Sequence, residues 1–318
     1  MEKSKKVFWI ALVTTGAFAV GMALLGNELE ERKIRPDKVS GLLSAPLKVV
    51  MEQEDSVFSG IVLIKRLGSR ETPRSVRLYK REGSGEIQDC SYYEDRSTVI
   101  PGRIMQTAVK AYLIDRNYLR PQDPAFQRDS IGVGFVKMLR NSYWIWEDFM
   151  DRFEDYFGSS EACYLPNSKY HFEEALEEIF DGYGVLLSPE QVLTFWDALS
   201  NGGVRPGTWY SLCCRILSDR SFAAVRDLCL IEGSLPVIGQ SGGGQLPFGF
   251  VSGIGNINDC PYLVRSDTFV GAFPADEPKY TMSLTLFSIA GTPQAVLVQE
   301  LFTKMGELIL ESEEIWKE

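Results

Sequence analysis

The sequence contains a single histidine, His171, among 318 residues. Its six cysteines form no Cys-x-x-Cys pair and no metal-ligand spacing. One histidine cannot assemble a zinc site, so we expect no metal and no other cofactor. Basic residues are also in the minority, with 33 Lys and Arg against 43 Asp and Glu and a net charge of −10. Because nucleic-acid binding needs a basic face, this balance argues against a nucleic-acid partner.

The N-terminus carries a long, largely apolar run without charge. Residues 7–25 contain no charged side chain, and a helix of that length would rise about 28 Å, close to the thickness of a bilayer core. Three lysines precede the run and the acidic NELEE follows it. The positive-inside rule then places residues 1–6 in the cytoplasm, a single anchor at 7–25 in the cytoplasmic (inner) membrane, a stalk at 26–48 and a periplasmic or otherwise extracytoplasmic domain at 49–318. A cleaved secretory signal is the alternative.

Hydrophobic periodicity predicts where the strands and helices of the domain lie. A β-branched run from Ser59 predicts a strand, and the central part of the chain shows helical spacing from Pro101 onward. Ser188, Pro189 and Gln191 have the spacing of a capping box at the start of a helix. Late alternating runs predict antiparallel strands, and a long amphipathic helix closes the chain. This order predicts an α/β domain of the α+β type, with an antiparallel sheet flanked by helices.

The stretch IGQSGGGQ, residues 238–245, places three consecutive glycines after an apolar run. Glycine inside a strand can mark a place where another molecule approaches the backbone closely, although three in a row weaken the strand's own packing. The stretch therefore predicts a strand that another molecule approaches closely.

Two further segments carry a family resemblance. GYGVLLSPEQVLTFWDALSNGGVRP, residues 182–206, and DTFVGAFPADEPKYTMSLTLF, residues 267–287, resemble landmarks of penicillin-binding protein transpeptidase domains in order and spacing. The similarity covers about residues 55 to 312, and the anchor agrees with the class B type of cell division and elongation. The resemblance implies the penicillin-binding protein and serine β-lactamase fold and a role in peptidoglycan synthesis.

The family's first motif, Pro-Gly-Ser-x-x-Lys, supplies the nucleophile and its base. Here the chain reads Pro101-Gly102-Arg103, with Gln106 in the place of the lysine. A guanidinium stays protonated and is no nucleophile, and an amide is no general base near neutral pH.

The other two motifs are altered as well. In the second, Ser-x-Asn, Ser130 is kept but Gly132 replaces the asparagine. In the third, Gln240-Ser241-Gly242-Gly243 stands where Lys-Thr-Gly-Thr is expected, so the cation and one hydroxyl are missing. The sequence therefore predicts a transpeptidase-like domain without catalytic residues: a pseudoenzyme that acts as a scaffold or partner among cell-envelope synthesis proteins.

Two other functions stay open. An active D,D-transpeptidase or carboxypeptidase would need a non-standard nucleophile at Thr107, Ser130 or Ser241, and Thr107 with Lys110 forms a Thr-x-x-Lys pair one helical turn after the usual position. A non-covalent sensor would bind a stem peptide or a β-lactam, with Arg103 and Ser241 holding a carboxylate. Alternatively, Arg103 pairs with a neighbouring acid and closes the cleft.

Overall fold

The computed structural model describes most of the chain from residue 38 onward. The predicted cytoplasmic tail, the anchor and the first part of the stalk lie outside the described residues, as do His171, Ser130 and Gly132. None of the described helices has the length and apolar character that crossing a membrane requires. The described residues are 38–81, 83–91, 97–123, 143–158, 182, 185–206, 213–246, 264–289 and 294–312.

A seven-stranded antiparallel sheet forms the centre of the described fold. The described strands are β1 Val57–Arg66, β2 Arg74–Lys80, β3 Ile87–Asp89, β4 Val204–Arg205, β5 Cys214–Arg215, β6 Leu230–Ile231, β7 Val237–Gln245, β8 Val264–Phe273 and β9 Tyr280–Ile289. The spatial order in the sheet is β3-β2-β1-β9-β8-β7-β6. A separate two-stranded ribbon pairs β4 with β5.

Helices cover both faces of the sheet. Side chains alternate between the faces of a strand, so Ile61 and Leu63 of β1 pack into one hydrophobic core while Val62 and Ile64 pack into the other. The described helices are α1 Lys38–Gln53, α2 Arg103–Asp115, α3 Tyr143–Phe157, α4 Pro189–Ser200, α5 Asp219–Leu228 and α6 Ala295–Glu311. The first core contains residues of α2 to α5, and the second contains residues of α1 and α6.

The antiparallel sheet with flanking helices confirms the predicted mixed α/β class. The capping box is also formed, because the Ser188 hydroxyl accepts from the Gln191 amide N–H at 3.1 Å and the Gln191 side chain accepts from the Ser188 amide N–H at 2.8 Å. Two segments differ from the sequence-based prediction. The polar, glycine-containing segment REGSGEIQDC predicts a turn, but its residues Ile87–Asp89 form a short edge strand next to β2.

The second difference concerns the stalk. Residues 38–48, assigned to the stalk from sequence, belong to helix α1, which packs against the sheet. Val39, Leu43, Leu47 and Met51 lie one helical turn apart and are buried in the second core. The folded domain therefore includes the chain from Lys38, eleven residues before the predicted start at residue 49.

Candidate functional site

The turn that begins helix α2 lies directly against the glycines of strand β7. A Cβ atom on Gly242 would fall well inside van der Waals contact with the carbonyl oxygen of Pro101, and 2.9 Å from the side chain of Ile104. A Cβ on Gly102 would likewise lie 3.2 Å from the backbone nitrogen of Gly243. The structure thus brings together the positions of the first and third motifs. The group that approaches the triple glycine is the chain's own Pro101–Gly102 turn.

A third glycine completes this close contact. The amide N–H of Gly102 donates to the carbonyl of Gly182 at 3.1 Å, and Gly182 has a φ of 78°, in the region that favours glycine. A side chain at Gly182 would collide with the backbone of Gly102. The first glycine of the Gly-Tyr-Gly landmark is therefore required by packing against the start of α2.

Two hydrogen bonds of buried side chains fix the elements around the turn. The Ser266 hydroxyl on β8 accepts from the amide N–H of Ile100 at 3.1 Å. The indole N–H of Trp196 on α4 donates to the carbonyl of Ile238 on β7 at 2.7 Å. The sequence had not indicated either contact, since both join segments far apart in the chain.

The substituted positions of the first motif differ in exposure. Arg103 is exposed at the first residue of α2, whereas the Gln106 side chain is 7 % exposed. The aliphatic residues around them are buried. The site therefore presents a guanidinium to solvent at the helix start and a neutral amide in the interior.

Thr107 and Lys110, the alternative nucleophile and base, are also buried, at 5 % and 8 % exposure. The Thr107 hydroxyl donates to the carbonyl of Arg103 at 3.0 Å. Cys229, which the sequence did not single out, lies close to both residues. Burial raises the pKa of the Cys229 thiol to about 12, although Thr107 and Lys110 act in the opposite direction. The thiol is therefore protonated near neutral pH and unreactive.

The third motif lies on the half-buried part of β7. The amide N–H of Ser241 donates to the Gln240 side-chain oxygen at 3.1 Å, so Gln240 folds back on its own strand. In the described residues the Ser241 hydroxyl has no hydrogen-bond partner. The second motif, at Ser130 and Gly132, lies outside the described residues, so its place in the site stays a prediction.

The chain superimposes on the transpeptidase domain of penicillin-binding protein 3 from Burkholderia pseudomallei with a TM-score of 0.61 and 14% identity, over 86% of this chain and 94% of that one. Penicillin-binding protein 2B from Streptococcus pneumoniae gives 0.63 and 12%, over 86% and 58% of the two chains. A peptidoglycan synthetase from Bifidobacterium adolescentis gives 0.60 and 11%, over 84% and 60%.

The chain has the fold of a penicillin-binding protein transpeptidase domain. This fold confirms the resemblance that the two sequence landmarks indicated. No family model matches the chain, and no curated protein matches its sequence. The chain spans 60% of the length of the Bifidobacterium synthetase, so the activities of that longer protein are not carried over with the fold.

Within the penicillin-binding protein fold, the second landmark supplies a structural ion pair. Asp267 on β8 is buried, accepts from the Arg265 side chain at 2.9 and 3.0 Å, and accepts from the amide N–H of Gln294 at 3.0 Å before helix α6. These contacts join the strand next to β7 to the closing helix. The landmark therefore serves packing in this chain.

Proposed function

We propose that this protein is a membrane-anchored penicillin-binding protein homologue without transpeptidase activity, which acts as a scaffold or partner in peptidoglycan synthesis and cell division. The fold supports the placement in that machinery. The observation that supports the lack of activity is the identity of two residues at the start of α2, directly against β7. An exposed arginine, Arg103, and a buried glutamine, Gln106, occupy the positions of the nucleophile and its base.

Acyl transfer requires a nucleophile with a base within hydrogen-bond reach. Arg103 and Gln106 offer neither, since one is a permanent cation and the other a neutral amide. Gln240 supplies no positive charge for a substrate carboxylate, in contrast to a lysine at the same place. Three separate requirements of the reaction are therefore unmet at positions that the fold brings together.

The hydroxyls of Thr107 and Ser241 do not support the alternative of an active transpeptidase or carboxypeptidase. Thr107 is almost fully buried and its hydroxyl is already donated to the backbone of its own helix. Ser241 is more accessible, but no described side chain is hydrogen-bonded to its hydroxyl to take up a proton. An active enzyme that used Ser241 would thus need a base from outside the described residues, and Ser130 and its surroundings are the place to search for one.

Intact mass spectrometry of the full chain after incubation with excess penicillin tests the inactivity. We expect no covalent adduct, while a catalytically competent penicillin-binding protein treated in parallel gains the mass of the drug. An adduct would contradict the proposal, and its loss in Thr107→Val, Ser130→Ala or Ser241→Ala would identify the nucleophile.

The scaffold role needs a test in the organism that carries the gene. We expect deletion to disturb septation or elongation, and a chain with all three hydroxyl substitutions to restore the normal shape. If the triple variant behaves like the deletion although it is present at a normal level, a catalytic role is favoured instead.

Anchoring is tested by fractionation. The full chain should sediment with membranes and keep its N-terminal mass, while a chain lacking residues 1–25 should be recovered in the soluble fraction. A mature protein without that segment would favour the cleaved signal.

A further inference from the structure

A pocket of about 260 Å³ lies at the C-terminal end of helix α2, between α3 and the segment that precedes α5. Along the helix it is about 20 Å from Arg103, so it is separate from the turn that contacts β7. Its charged and phenolic lining consists of three arginines, two tyrosines and one aspartate: Arg116, Arg152, Arg215, Tyr112, Tyr156 and Asp115.

The acidic groups around the pocket are already engaged. Asp115 accepts from the amide N–H of Ser218 and from the Ser221 hydroxyl, and so satisfies the start of α5. Asp148 accepts from Tyr112 at 2.8 Å and from Arg116. These acceptors are therefore committed to the protein's own donors.

In contrast, several guanidinium N–H donors around the pocket form no described hydrogen bond. Arg116 and Arg215 each form their described side-chain hydrogen bonds through one terminal nitrogen only, out of the five N–H groups that a guanidinium carries. Arg152 is half-buried and forms no hydrogen bond or ion pair within the described residues. The pocket thus has an excess of N–H donors over free acceptors.

Tyr156 adds a further donor. The residue is 1 % exposed and lines the pocket, and its hydroxyl has no hydrogen-bond partner in the described part of the chain. Burial, reinforced by the nearby Asp115, raises the pKa of Tyr156 above its ordinary value, although Arg152 and Arg116 lower it. The phenol is therefore protonated at neutral pH and is available as a donor.

We propose that this pocket binds a small oxyanion, a carboxylate or phosphate group, held by the Arg152 guanidinium and the Tyr156 hydroxyl with Arg116 and Arg215 at its sides. An oxyanion offers several hydrogen-bond acceptors. It can therefore accept from the N–H and O–H donors that have no described partner in the pocket. A guanidinium fork binds either group in bidentate geometry. The pocket gives this protein a ligand site that is distinct from the transpeptidase-like cleft.

Isothermal titration of the full chain with inorganic phosphate, and separately with glutarate, tests the site at constant ionic strength in chloride buffer. We expect saturable binding at one site per chain. Binding of phosphate alone would identify a phosphoryl ligand, and binding of glutarate alone would identify a carboxylate ligand. Absence of saturable binding by both probes would overturn the proposal.

Variants establish where the anion binds. Arg152→Gln and Tyr156→Phe should each weaken binding about tenfold or more, as expected for loss of one hydrogen bond to a charged group. Tyr156→Phe keeps the buried ring and removes a hydroxyl without a described partner, so its thermal midpoint in the absence of phosphate and glutarate should match that of the wild type. Arg81→Gln, an exposed arginine on the far edge of the sheet, is the matched control. If Arg81→Gln weakened binding equally, the affinity would depend on the overall charge of the protein and not on the pocket. That result would also overturn the proposal.

Discussion

The carbonyl oxygen of Pro101 occupies the space that a side chain on Gly242 would need. The contact joins the start of helix α2 to strand β7, and it is formed by backbone atoms on the α2 side. It explains a glycine in the middle of a strand by the protein's own packing, without a bound molecule.

Substituting Gly242→Ala should therefore destabilise the domain by about 1–3 kcal/mol, the usual cost of forcing extra atoms into a packed interior. The new methyl group meets backbone atoms, which cannot rotate away as a side chain can. Urea unfolding followed by circular dichroism measures the change. Gly233→Ala is the control, because a Cβ there meets no atom within 4 Å, and a similar loss in both variants would mean that the contact is unimportant.

The buried thiol of Cys229 should resist alkylation in the folded protein. Its raised pKa and its burial both oppose formation of an accessible thiolate. Iodoacetamide at pH 8 followed by peptide mass mapping should modify the exposed Cys213 and leave Cys229 intact, and both should react in urea. Modification of Cys229 at the rate of Cys213 under native conditions would show that the space beside Thr107 is open.

Asp197 on α4 should make stability depend on pH. It accepts from the amide N–H of Gly68 at 3.1 Å and from the Thr281 hydroxyl at 3.2 Å, with the Lys65 ammonium 3.0 Å away. Burial raises the pKa of Asp197 more than Lys65 and the hydrogen bonds lower it. The folded state then binds this proton more tightly than the unfolded state, whose value is about 3.9.

The contribution of the Asp197 carboxyl is thus fully present below the unfolded pKa and is lost as the pH rises through the higher folded pKa. We expect the free energy of unfolding of the wild type, minus that of Asp197→Asn, to decrease from pH 4 to pH 7. The exposed Asp276→Asn serves as the charge-matched control in urea titrations. A difference that increases with pH would mean that the ion pair with Lys65 outweighs burial.

Loss of the capping box at Ser188 should also be measurable. Ser188→Ala removes the acceptor for the Gln191 amide N–H and should cost about 1 kcal/mol, as N-cap substitutions usually do. Thermal unfolding compared with Ser234→Ala, an exposed serine with no described hydrogen bond, tests this. Equal midpoints for the two variants would contradict it.

The candidate site was only partly predictable from sequence. Arg103 and Gln106 could be identified because the motif around them is local and ordered along the chain. The neighbours of that motif could not, since Ser266 and Cys229 reach it from segments more than one hundred residues away. Helix α1 was missed for a different reason: Pro46 inside it disfavours a helix, although the buried residues follow helical spacing.

The sequence by itself determined which chemical groups the chain has and where strands and helices alternate, because residue type and periodicity are local properties. It thereby indicated the fold, through two landmarks, and placed Arg103 and Gln106 at the first motif. The tertiary structure alone decided that the triple glycine packs against Pro101, that Thr107 is buried beside Cys229, and that three arginines converge around Tyr156. These are contacts between distant segments, which the packing of helices on a sheet brings together and which no local pattern records.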